Sequence, residues 1–467
     1  MLIRGWKRLV AFVSPLLVLV IIFVRFYDGR LIITLPFHGG HWTERSFSLW
    51  DTNRQDSNTL QDSLSTTTSN DGSGTIETSM AKTHREVLSV STLDKRYFLI
   101  DFGEEGATNP SIIPHPFLND TWIIVAQKPK SPVIKNSVWF AELVCNAVFM
   151  DDRTTLGCVK PPVILPIGAT SGDKCVGDLA YFALNVGPHD ARVFYGPRTP
   201  YTIYGSNSVY TCFGQWMLDF RILVDWGFEI FTEKEFRKAT ELQRPVPYGP
   251  IEKNWFVFWD EHEQIHAHYD VAPRRVFAKL EYDGSVGQDL APLTASDDEK
   301  CMAKYMPKVA LEHESIHQAT NSLSITICKR SDSSCEANDS NTFIFTIFQH
   351  KSFYSFHSVY EPYVMLFQRT SPFNIYGISS KPIWIHGRGK AGEGKKPDFL
   401  TVEESRSWNQ TEMFYVTSLS WKTHGQKYHG YSDDVLFIAF GIEDSKAAGI
   451  DIVAGDLLVD LGLCSTS

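Results

Sequence analysis

Five polar clusters in this chain carry the residue types that proton transfer and anion binding require. GPHDARVFYGPRTPYTIYG (187–205) sets His189, Asp190, Arg192 and Arg198 between apolar runs, with Tyr204 near its end. EKNWFVFWD (252–260) puts Glu252, Lys253 and Asn254 directly before Trp255. HYDVAPRRVF (268–277) holds Asp270, Arg274 and Arg275, and FQHKSFYSFHSVYEPYV (348–364) holds His350, Lys351, His357, Tyr360 and Glu361. KYHGYSDDVLFIAFGIED (427–444) holds His429, Asp433, Asp434, Glu443 and Asp444. A single cluster of this kind reads as turn chemistry or as a surface ion pair. Five of them, each at the edge of an apolar run, point to loops that meet.

Other motifs compete and are weaker. HESIH (313–317) fits the HExxH zinc-protease spacing, in which a helix sets two imidazoles one turn apart. It runs within six residues into the strand-like LSITIC, and no third histidine follows in GxxH form. GRGKAG (387–392) fits GxGxxG, but EGKKPDF follows where a dinucleotide fold needs a helix. The overlapping stretch to Lys396 lacks the Ser or Thr of a phosphate-binding loop; Arg388, Lys390, Lys395 and Lys396 make it a basic loop. No D-x-D triplet occurs, so a transferase that holds a metal through two such carboxylates is disfavoured. The expectation is no metal and no bound cofactor.

The elements that must position the clusters read as β-strands. WIIVAQ (122–127), YTIYGS (201–206), WFVFWD (255–260), LSITIC (323–328), FIFTIF (343–348), YVMLF (363–367), FYVTSLSW (414–421) and VLFIAF (435–440) are rich in aromatic and β-branched residues and bounded by turn formers. Thr232–Leu242 is the clearest helix candidate, with Thr232 and Glu235 spaced as a capping box. Many short strands over some 370 residues fit a pair of sandwiches or a propeller of four-stranded blades. No sharp repeat sets the number of blades.

The N-terminus predicts a membrane anchor. Residues 1–8 carry Arg4, Lys7 and Arg8 as a cytosolic tail, and Leu9–Val24 is an uncharged apolar run. With its aromatic flank, 9–27 reads as a single-pass type II signal-anchor that leaves the remainder in the lumen. A cleaved signal peptide is the rival, without a small-residue cleavage site behind Val24. Residues 28–95, polar from about Glu44 to Ser91, read as a disordered, Ser/Thr-rich stem, and 96–464 as the luminal domain. All eight cysteines fall in that domain without a CxxC pair, as expected of structural disulfides, with Cys328–Cys335 the best candidate pair. Sequons at Asn119, Asn338 and Asn409 are candidate glycosylation sites. With 44 Lys+Arg against 54 Asp+Glu the chain is acidic, net −10, which argues against nucleic acid as a partner.

HQATNSLSITICKR (317–330), FIFTIFQHKSF and GYSDDVLFIAFGIED resemble the fungal β-mannosyltransferases that add β-1,2-mannose to cell-wall mannan, and PHDARVF with EKNW is similar to motifs of β-mannoside phosphorylases. The resemblance spans roughly 97–464. It implies an all-β, five-bladed propeller-like luminal domain behind the anchor and stem. It also implies a Golgi membrane enzyme that moves mannose from GDP-mannose to a glycan acceptor, inverting and without metal. The phosphorylases' E-D-P-R motif stands here as H-D-A-R, so Asp190 carries over while Glu and Pro are replaced. On this reading Asp190 is the catalytic acid–base group, and Arg192, Lys253, Arg274 and His350 face the departing diphosphate. Asp433 and Asp434 hold mannose hydroxyls, Tyr204 and Trp255 are candidate stacking platforms for sugar, with core packing the favoured alternative, and Asn254 and His357 complete the binding set. A hydrolase or phosphorylase on the same scaffold, or a non-catalytic luminal lectin, are the alternatives.

Overall fold

The computed structural model describes residues 83–129, 138–227 and 235–464 in full, and the backbone of 23–27, 30–36 and 42–47. The chain divides into two units, Met1–Asn70 and Asp71–Ser467. In the first, Phe23–Tyr27, Arg30–Pro36 and Trp42–Phe47 form an antiparallel three-stranded meander. This differs from the expected anchor and stem at those positions: FVRFY and RLIITLP are β-branched and aromatic, and the Asp-Gly dipeptide between them in the sequence is a hairpin signal. Residues 9–22 of the expected anchor lie outside the described residues. Among the described residues no helix is long and apolar enough to cross a membrane.

The second unit is built from five antiparallel runs of strands in chain order. Sheet I holds Thr108–Pro114, Trp122–Gln127, Glu142–Phe149 and Thr155–Cys158. Sheet II holds His189–Tyr195, Pro200–Asn207, Phe213–Asp219 and Thr240–Glu241. Sheet III is Phe256–Trp259, Ile265–Asp270 and Val276–Lys279. Sheet IV pairs Glu314–Gln318 and Leu323–Thr326 with Thr342–Tyr354, then adds His357–Gln368, Ile375–Ser379 and Leu461–Leu463. Sheet V is Phe414–Trp421, Val435–Ile442 and Lys446–Val453, completed by the N-terminal strand Phe98–Asp101.

The apolar cores lie between successive sheets. Ile113, Val125 and Val144 of sheet I pack with Val193, Tyr204 and Leu218 of sheet II. Sheets II, III and IV share the largest core, around Trp255, Phe258 and Phe367. Leu323, Phe345 and Leu366 of sheet IV meet Phe414, Trp421 and Ile438 of sheet V. Phe98 and Phe437 of sheet V meet Trp122 and Leu156 of sheet I. The packing order I–II–III–IV–V–I is a closed ring. Phe98–Asp101 also pairs in parallel with Thr155–Cys158, which joins sheets V and I at their outer edges.

All eight expected strands are present. The expected helix over Thr232–Leu242 is not: Phe236 is left-handed, with φ 53°, and Thr240–Glu241 is the outer strand of sheet II, while 232–234 lie outside the described residues. There tertiary pairing overrides a local capping signal. Cys328–Cys335 is bonded as expected, with Cys145–Cys158, Cys175–Cys212 and Cys301–Cys464 beside it. Ordered packing begins before Tyr97. Arg85–Val87 pairs with Ile383–Ile385, and Ser89 and Ser91 hydroxyls each donate to Asp451 at 2.6 Å.

Asp451 is fully buried, and Lys422 Nζ lies 2.6 Å from it. Despite its burial, the Lys422 ammonium and the two serine hydroxyls hold its carboxyl below the usual range. A depressed carboxylate stabilises the fold above its unfolded pKa of about 3.9, and that contribution disappears as pH falls through the lower folded value. Asp451→Ala leaves the Lys422 charge unpaired, so we expect a loss of about 3 kcal/mol at pH 7. The loss should shrink in acid, as read by denaturant unfolding at pH 7 and pH 3.

Candidate functional site

Residues near one end of the innermost strands converge. Asn109, Asp190 and Tyr415 are second in the first strands of sheets I, II and V, Asn254 lies two residues before sheet III, and His317 is last but one in Glu314–Gln318 of sheet IV. Asn109, Asp190 and Asn254 have φ of 54°, 50° and 66°. Glu443 and Asp444, in the turn closing Val435–Ile442, have 49° and 45°. Asn and Asp tolerate this left-handed region better than other side chains, yet five such residues at one place are unusual. Sterically disfavoured backbone of this sort gathers at binding and catalytic sites. The inner strands of sheets I, II and V also slip register there, between Thr108 and Ser111, His189 and Arg192, and Val416 and Ser418. Such bulges re-aim the side chains beside them.

Asp190 is held from three sides. Its Oδ1 accepts from Asn109 Nδ2 at 2.8 Å, its backbone N–H donates to Gln127 Oε1 at 3.0 Å, and the next N–H, of Ala191, donates to Glu142 Oε1 at 3.1 Å. Arg192, 3% exposed, donates through Nη2 to Asn254 Oδ1, while its Nε and Nη1 have no hydrogen-bond partner among the described residues. Asp190, Arg192, Lys253 and Asn254 line one small cavity with His189, Gln215 and the ring of Phe182. Four residues singled out by sequence therefore meet.

The other half of the cup comes from sheets IV and V. Tyr360 lies between Tyr415, 4.8 Å away by ring centroids, and His317, 5.9 Å away edge-on. Lys351 Nζ stands 5.8 Å from the Tyr360 ring. Burial, then the fields of Lys351 and Lys253, push the His317 imidazole down to about 4, so it is neutral at pH 7. Burial and Lys253 lower the Lys351 ammonium, and Asp444 acts against them. Burial, then Asp190 and Glu443, raise the Asp444 carboxyl, with Lys351 opposing. Burial drives Glu142 well above the carboxylate range, with the Asp190 charge adding to it. The Tyr415 phenol, beside the Arg192 guanidinium, is pushed up to about 12 by burial. These mutual influences tie Asp190, Asp444, Lys253, Lys351 and His317 into one electrostatic group. Chemically it offers carboxylates to move a proton, cations to meet an anion, and a neutral imidazole to bind a hydroxyl.

The remaining expected residues are elsewhere. His350 is one position out of phase: opposite residues of paired strands share a face, and neighbours along a strand alternate. His317 pairs with Gln349 and Lys351 with Tyr360, so His350 faces the other way, 3.1 Å from Glu314. Arg274 is exposed, bonded to Asp289, and lines a separate cavity of about 470 Å³ with Met302 and Met306. Asp433 accepts the N–H groups of Arg330 and Ser331, and Asp434 takes the Arg330 guanidinium at 2.9 and 2.6 Å. Asp434 lines a different cavity, of about 820 Å³, with Trp259 and His429. Tyr204 and Trp255 are fully buried core residues, without an open face for sugar. His357, 5% exposed, lies 3.0 Å from Thr411 O and 3.6 Å from Glu443, a structural bridge. Asn119, Asn338 and Asn409 are all exposed.

HESIH is a strand, Glu314–Gln318, with Glu314 turned to His350. Its histidines are not one helical turn apart, and no group of three metal-ligating side chains occurs among the described residues. The motif instead supplies His317 to the cup. Sequence reasoning did not single out Asn109, Gln127, Glu142 or Tyr415; it named Lys351, Tyr360 and Asp444 in their clusters without a particular role, and His317 only within HESIH. Once the strand pairings are known, parity outward from Lys351 finds two of them, His317 and Tyr360.

No protein-family model matches the chain, and no curated protein matches it in sequence. Among solved structures it is similar to a GDP-Man-dependent mannosyltransferase from Leishmania mexicana, with TM-score 0.33 and 8% identity over 76% of this chain and 89% of that one. It is likewise similar to the catalytic domain of a GH62 α-L-arabinofuranosidase from Coprinopsis cinerea, with TM-score 0.35 and 8% identity over 76% and 96%. Likenesses this remote carry no activity over to this chain.

The electrostatic grouping is testable without any substrate. Lys351→Met should raise the His317 pKa from about 4, though not to the ordinary 6.5, because burial is the larger cause. Titration of the histidine ring protons by NMR reads this directly. An unmoved His317 would show that the two groups do not share the cup.

Proposed function

We propose that this protein is a glycosyltransferase whose axial cup transfers mannose from a nucleoside diphosphate donor, GDP-mannose by resemblance, to a mannan-type glycan. Its scaffold is read as a five-bladed propeller, with sheets I to V as blades. The observation that carries the reading is that Asp190, Arg192 and Lys253 line one cavity, with Lys351 and Asp444 close enough to act on the same group; Arg192 is buried, Asp190 and Lys351 are half-buried, and Lys253 and Asp444 are exposed. An acceptor hydroxyl attacks the anomeric carbon as the bond from that carbon to the diphosphate oxygen breaks. Asp190 takes the hydroxyl proton, and the diphosphate leaves with the bonding electron pair. Arg192, with two nitrogens unpaired, and the two lysines are placed to stabilise the charge that grows on it. The neutral imidazole of His317 and the carboxyl of Asp444 suit sugar hydroxyls. Simple hydrolysis would have no use for so many cations.

Four disulfides and three exposed sequons fit an oxidising luminal compartment, and we propose that the enzyme works in the Golgi lumen. Incubation of the purified full chain with GDP-mannose and mannan oligosaccharides should give a lengthened glycan and GDP. Asp190→Asn should lower that rate by at least about 100-fold with the unfolding midpoint nearly unchanged. Free mannose from oligosaccharide, or mannose 1-phosphate when inorganic phosphate is added, would replace this reading with a hydrolase or a phosphorylase. Full turnover by Asp190→Asn would remove Asp190 from the chemistry.

A further inference from the structure

Asp190 occupies a backbone conformation that its own strand does not stabilise. With φ at 50° it sits inside the slip between His189 and Arg192, where neither its N–H nor that of Ala191 takes part in the ladder with Pro200–Asn207. Both N–H groups are satisfied instead by side chains of sheet I. Gln127 Oε1 accepts the first at 3.0 Å and Glu142 Oε1 the second at 3.1 Å. The carboxylate itself is fixed by Asn109 Nδ2 at 2.8 Å. Three residues from three adjacent strands of one sheet therefore converge on two residues of the next.

Their remaining polar atoms show that this arrangement is not made for packing alone. Asn109 Oδ1, Gln127 Nε2 and Glu142 Oε2 are all buried without a hydrogen-bond partner among the described residues. Gln127 is 7% exposed and Glu142 not at all. An apolar residue at either place would avoid that cost, which is of order 1–3 kcal/mol for each unpaired group. Asn109 further lies against sheet V: a Cβ at Gly441 would stand 2.5 Å from Asn109 Oδ1, so a side chain there would displace the amide. Gly441 pairs with Tyr415, which lies beside Arg192. Sheet V thus backs the same residue that grips Asp190.

We propose that Asn109, Gln127 and Glu142 are positioning residues that hold Asp190 in its working conformation across the boundary between sheets I and II. Glu142 acts through an oxygen that accepts and needs no charge to do so. The role given to Asp190 rests on the transferase reading, but the clamp itself does not.

Two measurements test it, one with and one without turnover. In transfer assays with GDP-mannose and mannan oligosaccharides, Asn109→Ala and Glu142→Leu should lower kcat by about 100-fold with KM within about threefold, as a misplaced catalytic group does. Glu142→Gln, which keeps the accepting oxygen, should stay within about threefold of the parent. Independently, hydrogen–deuterium exchange of the peptide over 187–195 should quicken by about tenfold at the amides of Asp190 and Ala191 in Gln127→Met and Glu142→Leu, and not in Glu142→Gln. Parent-like exchange in both apolar variants, or parent-like kcat in Asn109→Ala, overturns the clamp. If the parent transfers no mannose, the functional reading fails while the exchange result still decides the clamp.

Discussion

The arrangement depends on how the two ends of the ring are joined. Phe98–Asp101 enters as the last strand of sheet V, pairing Ile100, Leu99 and Phe98 with Ala447, Ala448 and Gly449. Three backbone pairs are a short seam. It is reinforced by a core that runs through it, where Phe98 meets Phe437 and Phe149 edge-on, and by Asp451 and Lys422 gripping Ser89 and Ser91. Gly449 lets the Phe98 ring lie directly on the backbone, since a Cβ there would come within 2.8 Å of it. The cup takes side chains from all five sheets, so a ring that opened at this seam would separate Asn109 and Asp190 from Tyr415 and Asp444.

Ring closure also explains why the charged groups influence each other so strongly. Each sheet contributes only one to three polar side chains at its inner edge, few enough to be carried by an otherwise apolar strand. Once five edges meet, those side chains lie close together, from buried Arg192 through half-buried Asp190 and Lys351 to exposed Lys253 and Asp444, and their fields act on one another. Three cations and two aspartates there bring opposing influences. Lys351 illustrates the balance, lowered by burial and by Lys253 but opposed by Asp444. The same cationic neighbour that makes the Lys351 ammonium costly makes this part of the cup attractive to an anion.

Much of the fold is legible in the sequence because strands declare themselves through aromatic and β-branched runs. FYVTSLSW is a strand over exactly the residues that the pattern marks, 414–421. The helix at 232–242 misled because a capping signal is local, whereas the outer edge of sheet II recruits Thr240 and Glu241 from a distance. Of the site, Asp190, Arg192, Lys253 and Asn254 were legible because they precede or open obvious strands. His350 was chosen over Lys351 because composition marks a cluster but not which of two neighbours turns inward; the parity of a strand fixes that only once its partners are known. Asn109, Gln127 and Glu142 gave no signal at all, because an amide or a carboxyl on a strand looks like a solvent-facing residue until another sheet covers it.

Side-chain chemistry and backbone conformation are therefore specified together at this site. Asn109, Asp190, Asn254 and Asp444 are the short amide and carboxylate side chains that bear a left-handed backbone with least strain, and they are also the polar groups that the cup needs. Replacing Asp190 by glutamate would keep the charge but place it on a residue less tolerant of φ near 50°, and would push the carboxylate beyond the reach of Asn109. Asparagine would keep the backbone and the size while removing the charge. The conformational requirement thus separates the two conservative changes: the first disturbs position, and the second removes only the charge.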